Sequence, residues 1–467
     1  MSQTVIEKIW DEHQIADLGD GTCLIYIDRV FLHERTGSVA LKSLEAAGRS
    51  VRNPEQAFCT MDHIVDTFPG RTDDTRMPGG TAFIQTTREA ALAAGINLFD
   101  LGDQRQGIAH IISPEQGIAL PGTTLVCPDS HTGTLGGLGA LAWGIGSTEA
   151  EHALATKTLV VKKPKTMRVN FTGQLPQGVS AKDMILRLIG EHTAAGGVGY
   201  AIEFAGEAVC KLSIEARLTL CNMTVEFGAW SGLVTPDHKT FEYIKGRPYA
   251  PDEPLWEQAV EYWQRLSSDP DAVFDKEITI DCAAIVPQIT WGTSPMHETG
   301  IDRLVPDPID EPDEHKRSAM ERALEYMAIE SGTPLAGIPI DAAFIGSCTN
   351  SRLSDLRAAA EILKGRKVAE GVKAICVPGS GLVKQAAEAE GIDKVFMDAG
   401  FEWREPGCSM CFFAGGESFG HEERVISSTN RNFENRQGPR TRTHLASPAT
   451  VAASAIKGCL ADVRKLD

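Results

Sequence analysis

Three cysteines near the C-terminal end offer the most reactive chemistry in this chain. Two stand at CxxC spacing in Pro406-Gly407-Cys408-Ser409-Met410-Cys411, and the third lies in Gly346-Ser347-Cys348-Thr349-Asn350-Ser351-Arg352. A CxxC pair by itself is ambiguous: it reads first as a metal site, and otherwise as a redox disulfide or two small core residues. Adding Cys348 narrows the metals. A structural zinc site needs four closed ligands, usually from two knuckles, and no second knuckle is present. A cubane [4Fe-4S] cluster normally takes four cysteines, so three thiolates would leave one iron open to act as a Lewis acid on a hydroxyl and a carboxylate together. The bland alternative is that Cys348 is a buried thiol at a strand end.

A second constellation pairs acids with imidazoles. Asp62-His63 sits in CTMDHIVDT, His110 in GIAHIISPEQG, and Asp129-Ser130-His131 in CPDSHTGTLGGLG. Adjacent Asp and His cannot face one another along a strand. Pairing is therefore expected across loops, where a carboxylate orients an imidazole and raises its basicity. The glycine run from Gly133 to Gly139 allows close backbone approach, but it lacks GxGxxG spacing and a following acid, which argues against a dinucleotide. Arg431 and Arg436, in Thr429-Asn430-Arg431-Asn432-Phe433-Glu434-Asn435-Arg436, have the geometry to clamp carboxylates, or else serve as surface ion-pair partners.

The elements around these residues read as α/β. Helical patterns such as Arg88–Ala94 alternate with apolar runs at Ile96–Leu101 and Thr124–Cys127. From Thr166 a strand, a loop and a helix capped by Ser180 open a second segment. Between Pro287 and Glu314 the sequence turns to Pro, Asp and Thr, with VPDPIDEPDEHKR as an exposed acidic connector. Beyond it, strands are expected at Ala342–Ile345, Ala374–Val377, Lys394–Met397 and Val425–Ser427. Helices are expected at Ser354–Leu363 and Leu382–Glu390, ended by Gly365 and Gly391. Such alternation makes a parallel sheet, with ligands beyond the carboxyl ends of its strands, where Cys348, Ser380, Cys408 and Asn430 all fall. The expected domains are 1–165 with the Asp/His motifs, 166–300, and 301–467 with the cysteines.

Length and charge exclude several functions. The 467 residues suffice for about three cores at roughly 150 residues each. With 45 Lys+Arg against 63 Asp+Glu, the net charge of −18 repels polyanions and anionic lipid, so neither a nucleic-acid nor a membrane partner is expected. No stretch reaches the roughly 18 apolar residues of a spanning helix, and the N-terminus lacks a signal pattern, which leads to a soluble, cytoplasmic expectation. The 11 cysteines are scattered rather than densely spaced, as expected of reduced thiols.

Together the motifs resemble the aconitase superfamily, and within it the isopropylmalate-isomerase branch. The resemblance runs from about Glu7 to Asp462 through LIYIDR, TMDH, GIAHIISPEQG, PDSHT, LTLCNMTVEFGA, TWGTSP, GSCTNSR, PGSG, FEWREPGCSMC, STNRNF and THLASP. It implies three doubly wound α/β domains around a [4Fe-4S] cluster held by Cys348, Cys408 and Cys411. Asp62 and His63 would assist hydroxyl departure, with His110, Asp129 and His131 as their hydrogen-bonded partners and Glu226 near the iron-bound water. Ser130, Asn222 and Asn430 would orient cluster or substrate, while Arg431 and Arg436 would hold a carboxylate. His33 falls where tricarboxylate aconitases carry glutamine. The swivelling fourth domain of full-length aconitases is missing, so the resemblance implies a separate small subunit supplying the base. The implied reaction is dehydration and rehydration of a hydroxy-dicarboxylate, 2-isopropylmalate to 3-isopropylmalate in leucine biosynthesis, with homocitrate, citramalate or another alkylmalate as alternatives. The superfamily also contains an RNA-binding iron sensor, against which the acidic charge argues.

Overall fold

The computed structural model describes residues 2–411, 413 and 416–466. The chain forms two compact units, each assembled from separated stretches: Met1–Ile64, Gly79–Gly173 and Gly197–Asp281 in the first, Val65–Pro78, Gln174–Gly196 and Cys282–Asp467 in the second.

In the first unit a five-stranded sheet runs in the spatial order Asn97–Phe99, Ala57–Thr60, Arg29–His33, Thr124–Cys127, Leu141–Gly144, with every neighbouring pair parallel. Ala57–Thr60 and Thr124–Cys127 are buried at every position, as strands covered on both faces must be. Numbered along the chain the order is 3-2-1-4-5, so it reverses between Arg29–His33 and Thr124–Cys127. A parallel sheet opens a crevice at such a reversal, beyond the carboxyl ends. A second parallel sheet in this unit has the order Ser231–Val234, Tyr200–Ala205, Lys165–Thr172, Lys276–Asp281.

The glycine run binds those two sheets together. Residues Thr132–Leu138 form a tight 3₁₀ turn whose leucines, Leu135 and Leu138, share a buried cluster with Leu218 and Leu233. A Cβ on Gly136 would come within 1.9 Å of the Gly232 carbonyl oxygen, and one on Gly137 within 2.7 Å of the Leu218 nitrogen. The close backbone approach expected from the sequence is therefore made to the protein's own backbone. It brings the Asp129–His131 loop beside the segment that carries Asn222 and Glu226.

The second unit contains an antiparallel hairpin, Gln288–Thr290 with Glu298–Gly300, and a third parallel sheet ordered Phe401–Trp403, Lys373–Cys376, Ala342–Ile345, Arg424–Ser427, Arg442–Leu445. This order is again 3-2-1-4-5, with the reversal between Ala342–Ile345 and Arg424–Ser427. Ser180 is the N-cap of helix Ala181–His192 as expected, its N–H and hydroxyl both donating to Asp183 at 2.7 Å.

One expectation needs correction. Lys394–Met397 is not a strand but part of helix Ile392–Ala399, which buries Ile392, Phe396 and Ala399 at helical spacing between Gly391 and Gly400, both in the left-handed region. The run is too short for its period to be told from a strand's, and the edge strand is instead Phe401–Trp403. Within the stretch that begins at Pro287, Gln288–Thr290 is a buried hairpin strand, while the acidic segment VPDPIDEPDEHKR is largely exposed, as expected. Among the described residues no helix is long and apolar enough to cross a membrane.

Gly136→Ala is expected to destabilise the fold by at least roughly 1–3 kcal/mol, the range for overpacking a dense core. Gly133→Ala, whose Cβ would meet nothing nearer than 3.8 Å, should change little. Thermal unfolding of the two variants checks this, and equal midpoints would contradict the packing role.

Candidate active site and cluster cradle

Each unit carries its own group of candidate residues, on loops at the carboxyl ends of parallel strands. In the first unit His33 and Glu34 follow the first strand, Asp62 and His63 the second, and Asp129 to His131 the fourth. The loops meet in one hydrogen-bonded chain. Asp62 Oδ1 lies 2.6 Å from His63 Nδ1, and His63 Nε2 lies 3.2 Å from Asp129 Oδ2. The other Asp129 oxygen meets His110 Nε2 at 2.9 Å and accepts the His131 N–H at 2.8 Å. His131 Nε2 stands 3.0 Å from Glu226 Oε1, and its Nδ1 3.3 Å from the Ser130 hydroxyl. The second oxygen of Asp62 accepts the Ala109 N–H, where the short helix Ala109–Glu115 starts. Asn222 is buried and donates to Thr134 Oγ1 at 2.8 Å, beneath the 3₁₀ turn.

These contacts decide where protons sit. Burial alone would lower the His63 pKa, but the Asp62 and Asp129 carboxylates overcome it and raise the pKa well above the ordinary histidine value. Burial would raise Asp129, and His110 and His63 instead hold it well below the usual carboxylate range. His63 is thus an imidazolium gripped at both nitrogens, 13 % of its side chain accessible. His33 is its opposite. Burial, then the positive charge of His63, lowers its pKa to about 4, so its ring is neutral. The rings stack with centroids 4.2 Å apart. His33 Nε2 lies 3.1 Å from the Pro128 carbonyl, so it carries the hydrogen, and Nδ1 presents a lone pair with no partner among the described residues.

The sequence reading did not single out Glu34. Its carboxylate, fully buried, accepts the backbone N–H groups of Asp62 at 2.9 Å, His63 at 2.7 Å and Ile64. Glu34 adjoins His33 at a strand end, which was the available signal. His33, Glu34, Asp62 and His63 are the one set of three or more metal-capable donors drawn within 4.8 Å of one another among the described residues. The oxygens of Glu34 and Asp62 are already taken by N–H donors, so this set manages protons rather than a metal.

In the second unit Cys348 follows the first strand of the third sheet, and Asn430 the fourth, on either side of its reversal point. Asn430 is buried and spans two thiols, its Nδ2 donating to Cys348 Sγ at 3.4 Å and its Oδ1 lying 3.9 Å from Cys411 Sγ. Arg436 Nη2 approaches Cys411 Sγ at 3.6 Å, and its guanidinium lies over the Phe433 ring. Arg431 is half-buried beside Asn430. Ser347 and Ser409, next to Cys348 and Cys408, hold φ of 77° and 47°. Such left-handed turns at non-glycine residues persist where surrounding bonds fix them. Arg352 supplies bonds to the Cys348 and Thr349 carbonyls, while Glu417 accepts from Ser409, Thr67 and Arg404.

Lys182 was also missed. Its fully buried Nζ donates to the Ser428 carbonyl at 2.8 Å and to that of Thr429, fixing the loop that presents Asn430. Burial lowers its pKa to about 7, opposed by Asp355, Asp183 and the thiols of Cys348 and Cys411. It sits on a helix far from the cysteines in sequence, without a local signal.

The donor set fits an iron–sulfur group. Cys348, Cys408 and Cys411 are buried, unbridged thiols on loops at one sheet edge. Three thiols suit a cluster with three protein ligands better than a structural zinc site, which closes with four.

Comparison with known proteins agrees with this class of site. The aconitase family (aconitate hydratase) matches residues 7–458. The 3-isopropylmalate dehydratase large subunit 1 of Bradyrhizobium diazoefficiens is 55 % identical over 465 residues, covering 100 % of this chain and 97 % of that protein. The crystal structure of Thermococcus kodakaraensis aconitase X, holo-form, shares 12 % identity and a TM-score of 0.46, covering 93 % of each chain. Fold and matches define a hydro-lyase enzyme of a class that generally carries an iron–sulfur cluster. The chain belongs to the aconitase family.

Two outcomes are expected. Cys348→Ser, Cys408→Ser and Cys411→Ser should each lose bound iron and acid-labile sulfide after anaerobic reconstitution, while Cys376→Ser, inside a buried strand, should keep both. Asp129→Asn should remove one of the charges that raise the His63 pKa, so that His63 loses its proton at lower pH than in the parent chain. A titration of histidine ring resonances measures that shift, and an unchanged His63 midpoint would refute the pairing.

Proposed function

We propose that this chain is the large subunit of a cytoplasmic hydro-lyase that interconverts 2-isopropylmalate and 3-isopropylmalate by dehydration and rehydration, with a [4Fe-4S] cluster on Cys348, Cys408 and Cys411. The observation that carries the reading is the 55 % identity to a 3-isopropylmalate dehydratase large subunit across the whole chain. The local chemistry supports it. When bound, a cluster with three protein thiolates supplies an open iron that polarises a hydroxyl and a carboxylate.

The remaining tasks fall to side chains. His63, charged because Asp62 and Asp129 flank it, donates a proton to the departing hydroxyl and recovers it on rehydration. Asp129 keeps that imidazolium in register through His110 and the His131 N–H, so proton transfer needs no rearrangement of the acid. Glu226 acts on the leaving water through its contact with His131, and Ser130 and Asn222 orient the same side of the site. His33, neutral, offers its Nδ1 lone pair to a substrate hydroxyl. Asn430 fixes two of the thiols, and Arg431 and Arg436 hold the carboxylate that the iron leaves free, as a planar guanidinium does better than an ammonium. The base that removes the carbon-bound proton belongs to a separate small subunit.

Turnover by the reconstituted chain with its small subunit, across isopropylmalates, citramalate and homocitrate, tests the proposal. Isopropylmalate should be preferred. A higher kcat/KM for another acid would reassign the substrate, and no turnover of any would overturn the reading. Within that assay His63→Ala should lose about 10²- to 10⁴-fold in kcat, and Arg431→Lys and Arg436→Lys at least roughly tenfold in kcat/KM, about 1.4 kcal/mol. His315→Ala, on an exposed helix start, serves as the comparison for His63.

A further inference from the structure

We infer that Glu34 is a positioning residue for the acid–imidazole pair: its buried carboxylate grips the Asp62, His63 and Ile64 backbone N–H groups, holding the loop in the one conformation where Asp62 grips His63. The inference rests on His63 acting as the acid proposed above, and adds a determinant outside the residues that reach substrate.

The argument is one of hydrogen-bond accounting. The loop after the second strand leaves three successive N–H groups pointing the same way, away from any sheet or helix ladder. Buried backbone donors need partners. Glu34 Oε1 takes two of them and Oε2 the third, which leaves the side chain no freedom to serve another group. Glu34 is itself anchored, since its carbonyl accepts the Thr87 hydroxyl at 3.1 Å from the neighbouring helix. On the far side of the loop Gln106 Nε2 donates to the Met61 carbonyl and the Ala109 N–H meets Asp62 Oδ2. The loop is therefore clamped from both sides, and the Glu34 clamp lies directly under the catalytic dyad.

The carboxylate also sets charge. Glu34 and Asp62 place two acids near one imidazolium: burial and then the Asp62 charge push the Glu34 pKa up to about 7, and His63 and the N–H bonds of the loop oppose that rise. An amide in its place would keep one accepting oxygen and turn an NH₂ group toward at least one of the three N–H donors. The loop would have to turn to relieve that opposition, displacing Asp62 from His63 Nδ1. Shifts of about 1 Å at a reacting group reduce rates by about 10²-fold.

The experiment compares Glu34→Gln, Glu34→Asp and Thr87→Val in the full-length chain by two readouts. The first is the far-downfield proton of the Asp62–His63 hydrogen bond, observed by NMR in ¹⁵N-histidine-labelled protein and assigned by its loss in His63→Gln. The second is kcat and KM of the reconstituted enzyme with its small subunit. Glu34→Gln is expected to lose the downfield signal and to lower kcat by roughly 10- to 100-fold, with KM within about twofold of the parent. Glu34→Asp should recover part of both, and Thr87→Val should keep the signal with kcat within a few-fold. An intact signal and parental kcat in Glu34→Gln would overturn the inference. So would equal losses in all three variants that follow loss of thermal stability, which would make Glu34 a fold residue only. If Glu34→Gln does not fold, Glu34→Asp alone decides, and parental values in it overturn the inference. The NMR reading needs neither cluster nor substrate, so it stands even if the proposed reaction fails.

Discussion

A single charge, the imidazolium of His63, organises the first unit. An ion of that kind is strongly disfavoured in a dry interior unless its partners are fixed before it arrives. Two carboxylates on different loops do this, Asp62 at one nitrogen and Asp129 at the other, and each is itself held by N–H groups and histidines. The loops stay in place because they leave strands of one parallel sheet that flank Arg29–His33 on either side. The glycines at Gly136 and Gly137 are needed for the same reason, since only they let the turn after Asp129 lie against the second sheet and bring His131 to Glu226. Much of the local sequence therefore reads as support for one proton.

The same topology appears three times. Every parallel sheet begins with its third, second and first strands side by side and then reverses to its fourth. In the first unit the reversal lies between the strands leading to His33 and to Asp129, and the contact across it is the His33 ring on the Pro128 carbonyl. In the second unit it lies between the strands leading to Cys348 and Asn430, and the contact across it is the Asn430 amide on the Cys348 sulfur. Loops diverge at a reversal point, which leaves room for a ligand between side chains drawn from distant sequence. One architecture thus yields a proton-handling pocket in one unit and a thiol cradle in the other, with the difference carried by a few loop residues.

Much of this was legible in sequence because it is local. Cys348 and the DSH run sit just past apolar strand segments, which places them at a sheet edge, whereas Cys408 and Cys411 follow Phe401–Trp403 rather than the strand expected at Lys394–Met397. The strand at Ala342–Ile345 and the helix from Leu353 to Leu363 fall where their patterns put them. Lys394–Met397 misled because a short apolar run satisfies both periods, and only burial at positions 392, 396 and 399 separates them. Glu34 and Lys182 were illegible for a different reason. Their function is to satisfy backbone groups 28 to 247 residues away, and backbone donors and acceptors leave no mark on the residue types that carry them. The interleaving of the two units, with Val65–Pro78 and Gln174–Gly196 joining the second, is likewise a property of contacts rather than composition.

The division of charge between the units follows from what each must hold. The first gathers carboxylates around imidazoles, where protons are kept and released. The second buries Lys182, Arg352 and Arg404 almost wholly beside its thiol loops; the first two donate to carbonyls at Cys348, Thr349, Ser428 and Thr429, and Arg404 donates to Glu402 and Glu417. Thiolates gathered at a common site repel one another and are favoured by positive charge nearby. In a chain of net charge −18 that positive charge cannot come from the surface field, so it is built into the interior at the loops themselves. Neutral polar residues in place of Lys182 and Arg352 would satisfy the same carbonyls but bring no positive charge to the thiol loops, whereas the charge of Arg404 is met by Glu402 and Glu417.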